Sequence, residues 1–358
     1  MALGESGMKM KKFIVMLVAV SLLVSLFVGC SSDKATMEPS EPVSTEAEVQ
    51  TDEAMDDTVY SFKFGHAADE NNTWHKGAMK FAEEVEAKSN GRIKIEVYAN
   101  EQLGNEIDNV TAIQAGTADM VLSGESLQNW ADLVGVMSTP YLIKDSEHMN
   151  AVINGEPGEI LEEAILNQAG LKVLTYFERG PRMLTSNKPI NNIDDLQGLN
   201  LRLPNVPLFI EVWNAWGARP VPMAFSEVFT SLQQNVIEAQ DNPLALMYSG
   251  GFYEVQKYIN KTEHVRGWIY MLIGVDQWNE LPEDLQAVMI DAAQVAHDYE
   301  YQLFTEGEEA TLNILLEEKG LELIETDTTE MVRVAEKYYE ENLTPALFEL
   351  YTLIKNTK

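Results

Sequence analysis

The chain has 358 residues, of which 45% are hydrophobic, and its formal net charge at pH 7 is −32. This length and apolar content allow about two domains with buried cores. Because contacts to phosphates need a basic face, the strongly acidic balance excludes nucleic-acid binding.

The N-terminal residues have the layout of a secretory signal. Three lysines between positions 9 and 12 precede an uncharged stretch from Phe13 to Gly29. The apolar part of this stretch ends at Val28 and has 16 residues, whereas a membrane-spanning helix needs about 20. We therefore interpret residues 1–29 as a signal peptide and not as a permanent membrane span.

Cys30 is the only cysteine of the chain, and it directly follows the run Leu26-Phe27-Val28-Gly29. This run resembles the lipobox of bacterial lipoproteins, although Phe27 stands where lipoboxes usually have a smaller aliphatic residue. The resemblance implies lipidation of Cys30, and a chance cysteine is the alternative.

Residues 31–57 contain nine acidic residues and almost no large apolar side chain. This composition predicts that residues 30–57 form a lipidated N-terminus and a disordered acidic tether.

Beyond the tether, segments with a period of two alternate with segments of helical period. The predicted strands begin at Tyr60, Ile93 and Met120, and the intervening helices end near Gly91 and Gly116. A first α/β lobe is the expected result.

A second α/β series runs from residue 172 to residue 240. The strand-like runs LKVLTYF, LNLRLP and NVIEAQ are separated by the helix-like runs PLFIEVWNAWG and SEVFTSLQQ. From Pro282, apolar residues recur every three or four positions, which predicts a helix that continues toward Gly320 or breaks near Gly307. An unbroken helix of this length, about 57 Å, could brace two lobes. A last amphipathic helical segment covers residues 332–350.

Catalytic and metal-binding patterns are hard to find in the chain. His66 and His75 lie near Asp69 and Glu70, but their spacing fits no metal-ligand pattern, and a strand-to-helix loop explains them. We expect no metal, no cofactor and no enzymatic activity.

The arginines are unevenly distributed. Four of the seven, Arg179, Arg182, Arg202 and Arg219, fall within 41 residues of an otherwise acidic chain. Arg202 lies near the carboxyl end of a predicted strand, where open α/β sheets bind ligands. A concave anion site and ordinary surface salt bridges both explain this cluster.

Between Ser61 and about Lys319 the chain resembles the substrate-binding proteins of tripartite ATP-independent periplasmic (TRAP) transporters. The resemblance rests on an ordered series of motifs: FKFGHA, QLGNE, GTADM, TPYL, GPRMLTSNKPI, DLQGLNLRLPN, GARPVPMAFSEVFTSLQ, QDNPL, FYEVQKY and LPEDLQ. It implies a two-lobed α/β fold of the periplasmic-binding-protein type, with mixed sheets, crossing hinge strands and a long helix that spans both lobes. We expect lobe I to comprise residues 58–179 and 268–307, and lobe II residues 180–267 and 308–358.

The resemblance also implies a set of ligand contacts. The principal carboxylate-binding arginine of the family falls on Arg202, in GLNLRLPN, with Asn205 beside it, and the supporting arginine is Arg182, before SNKPI. Asn242 occupies the asparagine of the QDNP motif, and Phe225 matches the aromatic residue before the SEV helix. Further candidates, placed where the family contacts or packs beside the distal part of its ligand, are Glu125 and Trp216, and His75 completes the set.

By this resemblance the protein is a lipid-anchored receptor on the periplasmic or cell-surface side of the membrane. It captures a small organic acid through an arginine–carboxylate clamp and delivers it to a TRAP permease. A sugar acid such as a hexuronate or aldonate is the favoured ligand, because Trp213 and Trp216 accompany polar Asn205 and Asn242. Three alternatives remain: a C4-dicarboxylate or other keto or hydroxy acid as ligand, a ligand-sensing subunit of a signalling system, and a secreted hydrolase or lyase.

Overall fold

The computed structural model describes residues 58–358, so the signal peptide, Cys30 and the acidic tether lie outside the described residues. The strands of the described part are β1 Tyr60–Gly65, β2 Ile93–Tyr98, β3 Met120–Ser123, β4 Leu171–Ser186, β5 Asn200–Leu203, β6 Arg219–Pro222, β7 Ala239–Asn242, β8 Tyr258–Gly274 and β9 Glu322–Ile324. Its α-helices are α1 Thr73–Lys88, α2 Glu106–Gln114, α3 Ser146–Ile153, α4 Glu156–Ala164, α5 Pro207–Ala215, α6 Val228–Gln233, α7 Leu244–Ser249, α8 Val275–Glu280, α9 Glu283–Asn313, α10 Thr329–Asn342 and α11 Pro345–Asn356.

The strands form one mixed sheet in the order β2-β1-β3-β8-β4-β7-β5-β6, with β9 paired to β8. Strands β1, β2 and β3 are parallel to one another at one end of the sheet, and β5, β6 and β7 are parallel at the other. Parallel strands need helical crossovers, which explains the alternation of periods in the sequence. The mixed sheet and the strand-helix alternation expected from the sequence are confirmed.

The two ends of the sheet are joined by β4 and β8, which pair antiparallel along most of their length. The register shifts between Arg179 and Arg182, and again between Arg182 and Leu184. On one side of these irregularities β8 pairs with β3, and on the other side β4 pairs with β7. The pair of long strands therefore carries the chain from one half of the sheet to the other, as predicted for crossing strands.

Helix α9 runs from Glu283 to Asn313 and continues as a π-helical turn to Glu318. Gly307 does not interrupt it, which settles the alternative left open by the sequence. The buried face of α9, which includes Met289 and Ala296, packs with α1 residues such as Phe81 in one apolar cluster.

The last helical segment predicted from the sequence is two helices, α10 and α11, because Thr344 caps α11 and Pro345 is its first residue. No α-helix within residues 58–358 has the length and apolar character to span a membrane.

Candidate functional site

A cleft lies at the carboxyl ends of both sets of parallel strands. Its outer part is a cavity of about 390 Å³, and a smaller cavity of about 40 Å³ lies deeper. The two cavities adjoin, because they share Glu106, Ser126, Arg202, Pro204 and Phe225 in their walls. This position agrees with the general placement of ligands in open α/β sheets.

Arg202 is held at the end of β5, where Pro204 ends the strand. Its side chain is 3% exposed, and its Nε and Nη2 donate to the carbonyl oxygen of Met223 at 3.1 and 2.8 Å. In residues 58–358 no carboxylate lies within ion-pairing distance of this guanidinium, and Nη1 donates to no protein acceptor. Burial lowers the pKa of Arg202 to about 10, although Asp241 raises it in part. Arg202 is thus a charged, buried and unpaired cation in the wall of the cavity.

Arg182 lines the deeper cavity, and one edge of its guanidinium forms a salt bridge with Asp241. Nε and Nη2 of Arg182 donate to the two carboxylate oxygens of Asp241 at 2.7 and 3.0 Å, and Nη2 also donates to the Asp241 carbonyl oxygen at 2.8 Å. Burial disfavours both charges, but their attraction outweighs it, so the pKa of Arg182 is raised and the pKa of Asp241 is lowered.

His264 completes this network, with Nε2 3.1 Å from the Asp241 carboxylate and Nδ1 2.9 Å from the Thr262 hydroxyl. Burial lowers the pKa of His264, although Asp241 opposes this effect. A neutral imidazole protonated on Nε2 satisfies both contacts, because it donates to Asp241 and accepts from Thr262. The network holds Arg182 rigidly behind the deeper cavity.

A second buried ion pair joins Arg179 to Glu125 in the wall of the same cavity. Burial raises the pKa of Glu125, but Arg179 more than offsets this and leaves that pKa below its usual value. Three buried arginines therefore meet at the cleft, and two of them have a carboxylate partner within the protein. Arg202 is the third.

The other predicted residues on the cleft wall are Asn205, Phe225 and Asn242. Asn242 ends β7 and donates from Nδ2 to Gln240 Oε1 at 2.6 Å. Phe225 begins a short 3₁₀ helix and contacts Phe252, with ring centroids 5.5 Å apart. The structure brings these three residues together with Arg182, Arg202 and Glu125.

Trp216 and His75 lie apart from this wall. Trp216 is fully buried, its Nε1 donates to the Met331 carbonyl oxygen at 2.9 Å, and its ring packs edge-on against Trp213. The structure gives Trp216 a packing role in the core and no place on the cavity surface. His75 Nδ1 lies 3.0 Å from His66 Nε2, and the neighbouring residue Trp74, not His75, lines the deeper cavity.

Glu106 is a wall residue that the sequence did not single out. It is the first residue of α2, and its Oε2 accepts a hydrogen bond from the Ser123 hydroxyl at 2.9 Å. An acidic residue in the first turn is an ordinary feature of helices, so the sequence carried no signal that marked Glu106 as part of a cleft.

Hydrogen bonds cross the cleft from loops of one half of the sheet to loops of the other. Asn129 Nδ2 donates to the Asn205 carbonyl oxygen at 2.9 Å, and the Ser226 amide donates to Glu101 at 3.1 Å. These contacts hold the two walls of the cleft together.

Comparison with known proteins identifies the fold family. Residues 64–344 match the model of the DctP family, described as bacterial extracellular solute-binding protein, family 7. The chain belongs to this family. The TRAP assignment made from the sequence motifs is thereby confirmed, and members of this family bind solutes for transport and are not enzymes.

Relatives and solved structures agree with this membership. A solute-binding protein of Roseobacter denitrificans is 49% identical over 267 residues, which are 75% of this chain and 82% of that protein. The 2,3-diketo-L-gulonate-binding periplasmic protein of Escherichia coli is 32% identical over 268 residues, 74% of this chain and 80% of that protein. A crystal structure of a TRAP periplasmic solute-binding protein from R. denitrificans with bound L-galactonate has a TM-score of 0.81 and 45% identity, and covers 83% of this chain and 99% of that one.

The two-lobed fold is therefore that of TRAP solute-binding proteins, which are periplasmic and work with membrane permeases. Within residues 58–358 no cluster of three or more histidine, cysteine, aspartate or glutamate side chains could hold a metal ion.

Proposed function

We propose that this TRAP-type receptor binds a sugar acid, an aldonate or a hexuronate, with the ligand carboxylate held by Arg202. The observation that carries the proposal is the unpaired guanidinium in the cleft wall. A buried cation without a counter-ion is unfavourable in free energy. Its Nη1 and the second proton of Nη2 form an edge that fits a carboxylate through two parallel hydrogen bonds.

The choice of ligand class is supported by the relatives and by the cleft wall. The R. denitrificans structure holds L-galactonate, and the E. coli relative is named for 2,3-diketo-L-gulonate. Polar side chains such as Asn205, Ser126 and Asn242 line the cavity and suit the hydroxyl groups of a sugar acid. The tryptophans do not support this choice, because Trp213 and Trp216 are both buried in the core.

In the proposed mechanism the lobes close around the ligand by a hinge motion. Lobe I comprises residues 58–179 and 268–307, and lobe II comprises residues 180–267 and 308–358. The register shift between Arg179 and Arg182 in β4 supports a hinge near these boundaries. Arg182, fixed by Asp241, presents its free Nη1 as a second donor, and Asn242 offers an amide beside it.

Delivery follows from the closed state. We propose that the closed, loaded form docks on a TRAP permease and releases its solute there, while a lipid on Cys30 keeps the receptor at the membrane. The lipobox-like run before Cys30 and the acidic composition of residues 31–57 support the anchor.

A thermal-shift screen against L-galactonate, D-glucuronate, succinate and neutral sugars tests the proposal. We expect a sugar acid to raise the unfolding temperature of the wild type and to leave that of Arg202→Gln unchanged. Arg219→Gln is the matched control, because Arg219 is exposed on β6 and also loses one positive charge. The same shift in Arg202→Gln as in the wild type would contradict the role of Arg202, and stabilisation by succinate alone would contradict the ligand class.

A further inference from the structure

Two carboxylates, Glu106 and Glu125, line the deeper cavity, and they differ in their partners. Glu125 is neutralised by Arg179 in a buried ion pair. No lysine, arginine or histidine within the described residues lies within ion-pairing distance of Glu106, which instead accepts a hydrogen bond from Ser123. One end of the cleft therefore presents an unpaired cation, Arg202, and its wall also presents an unpaired anion.

The position of Glu106 makes this anion available to a ligand. It lines both the outer and the deeper cavity, as Arg202 does. Asn105 caps α2 and accepts hydrogen bonds from the backbone amides of Ile107 and Asp108, which fixes the first turn of the helix and with it the Glu106 backbone. The Ser123 hydroxyl occupies one acceptor site of Oε2, and the Ser126 side chain also hydrogen-bonds to this carboxylate. An ionised carboxylate has about four acceptor sites, so others are left for ligand donors.

We propose that Glu106 is a specificity-determining residue that makes this receptor select sugar acids with one carboxylate over those with two. This inference rests on the proposed function, because it assumes that the ligand carboxylate binds Arg202. An aldonate held there turns a hydroxyl-bearing tail toward the rest of the wall, and the Glu106 carboxylate accepts hydrogen bonds from such hydroxyls. The second carboxylate of an aldarate has no proton to donate and is repelled by Glu106.

Burial and the neighbouring groups set the pKa of Glu106. Burial raises this pKa above its ordinary value and Glu125 adds to the effect, whereas the hydrogen bonds with Ser123 and Ser126 and the charge of Arg179 partly offset it. The negative charge of Glu106 favours the charged forms of Arg182 and Arg202, although burial still leaves the pKa of Arg202 lowered overall. The other cavity-wall carboxylates, Glu101 and Asp108, lie at the outer cavity and also repel a second negative charge. Protonation of Glu106 at acid pH therefore weakens the discrimination.

Two probes isolate this effect. L-Galactonate and galactarate share a six-carbon chain and the hydroxyl groups on its four inner carbons, and galactarate has a carboxylate where galactonate has its terminal CH₂OH. Isothermal titration calorimetry at pH 7.5 measures the dissociation constant of each. We expect wild type to prefer L-galactonate at least about a hundredfold, and Glu106→Gln to reduce this preference by about tenfold or more through tighter galactarate binding. Glu159→Gln is the control, since it removes an exposed carboxylate from the first turn of α4.

Two further measurements keep the result interpretable. Glu106→Asp retains the charge and is expected to keep most of the preference. Wild type titrated between pH 8 and pH 5 is expected to lose part of its preference toward acid pH, a test that needs no substitution. Equal preference in wild type and Glu106→Gln, with L-galactonate bound by both, would overturn the inference and leave the proposed function intact. Wild-type protein that binds neither probe nor any other sugar acid would overturn both.

Discussion

Replacement of Arg202 by methionine is expected to stabilise the ligand-free protein while it abolishes ligand binding. Burial lowers the pKa of Arg202 from its ordinary value to about 10. At about 1.4 kcal/mol per pH unit, this shift corresponds to about 3 kcal/mol of unfavourable free energy in the folded state at neutral pH. The two hydrogen bonds to the Met223 carbonyl oxygen offset about 2 kcal/mol of that cost. A methionine of similar length keeps the apolar packing and removes both contributions.

The expected net effect of Arg202→Met is an increase of about 1 kcal/mol in the free energy of unfolding without ligand, or about 2 °C in the unfolding temperature. Urea unfolding followed by tryptophan fluorescence measures it. A sugar acid at a hundred times its dissociation constant should stabilise wild type by about 2.7 kcal/mol and the variant not at all. A variant that unfolds more easily than wild type by 1 kcal/mol or more without ligand would refute the reasoning, because it would mean that the guanidinium is already well compensated.

Other perturbations test separate parts of the structure. Asp241→Asn should lower the free energy of unfolding by about 3 kcal/mol, since it leaves a buried guanidinium without its counter-ion, and urea unfolding measures this. Burial raises the pKa of Glu300 to about 8, so its stabilising contribution is complete below the unfolded pKa near 4.5 and is lost as the pH rises to 8. Wild type should therefore lose about 3 kcal/mol of stability between pH 5 and pH 8 that Glu300→Gln does not lose. Glu101→Ala removes the hydrogen bond to the Ser226 amide across the cleft and should weaken sugar-acid binding about fivefold in calorimetry, and unchanged affinity would show that this contact does not favour closure. Cys30→Ser should shift the full-length protein from the membrane to the soluble fraction after cell fractionation, whereas continued membrane association would argue against a lipid anchor.

Much of the fold could be predicted because local patterns specify it. The alternation in β1, the cap at Asn72 and the strand end at Pro204 are each encoded within a few residues. The helical period of α9 could be predicted, but whether the helix continues past Gly307 could not. A glycine inside a helix costs only about 1 kcal/mol, and the packing of α9 against α1 and β4 exceeds that, so Gly307 does not break it.

The electrostatics of the site could not be predicted, because its partners are distant along the chain. Arg179 and Glu125 are 54 positions apart, and Arg182 and Asp241 are 59 apart. They meet only because β4 pairs with β7 on one side and is separated from β3 by the single strand β8 on the other. Motif resemblance singled out Arg202, which the structure places in the cavity wall, but only the ion pairs of Arg179 and Arg182 reveal that Arg202 is the unpaired arginine.

The burial of Trp216 could not be predicted from the sequence for a different reason. Helix α5 has apolar residues on most of its faces, so its pattern does not tell which aromatic side chain is buried and which faces a cleft. The hydrogen bond from Trp216 Nε1 to α10 depends on a helix more than a hundred residues further along the chain. The local sequence around Trp216 does not indicate such a contact.

The central claim is that the ligand carboxylate binds the Arg202 guanidinium inside the cleft. A crystal structure of the protein with the sugar acid that gives the largest thermal shift tests it most directly. We expect a carboxylate oxygen within about 3 Å of Arg202 Nη1 and the hydroxyl-bearing tail beside Glu106. A ligand bound elsewhere, or bound in the cleft with its carboxylate away from Arg202, would contradict the account.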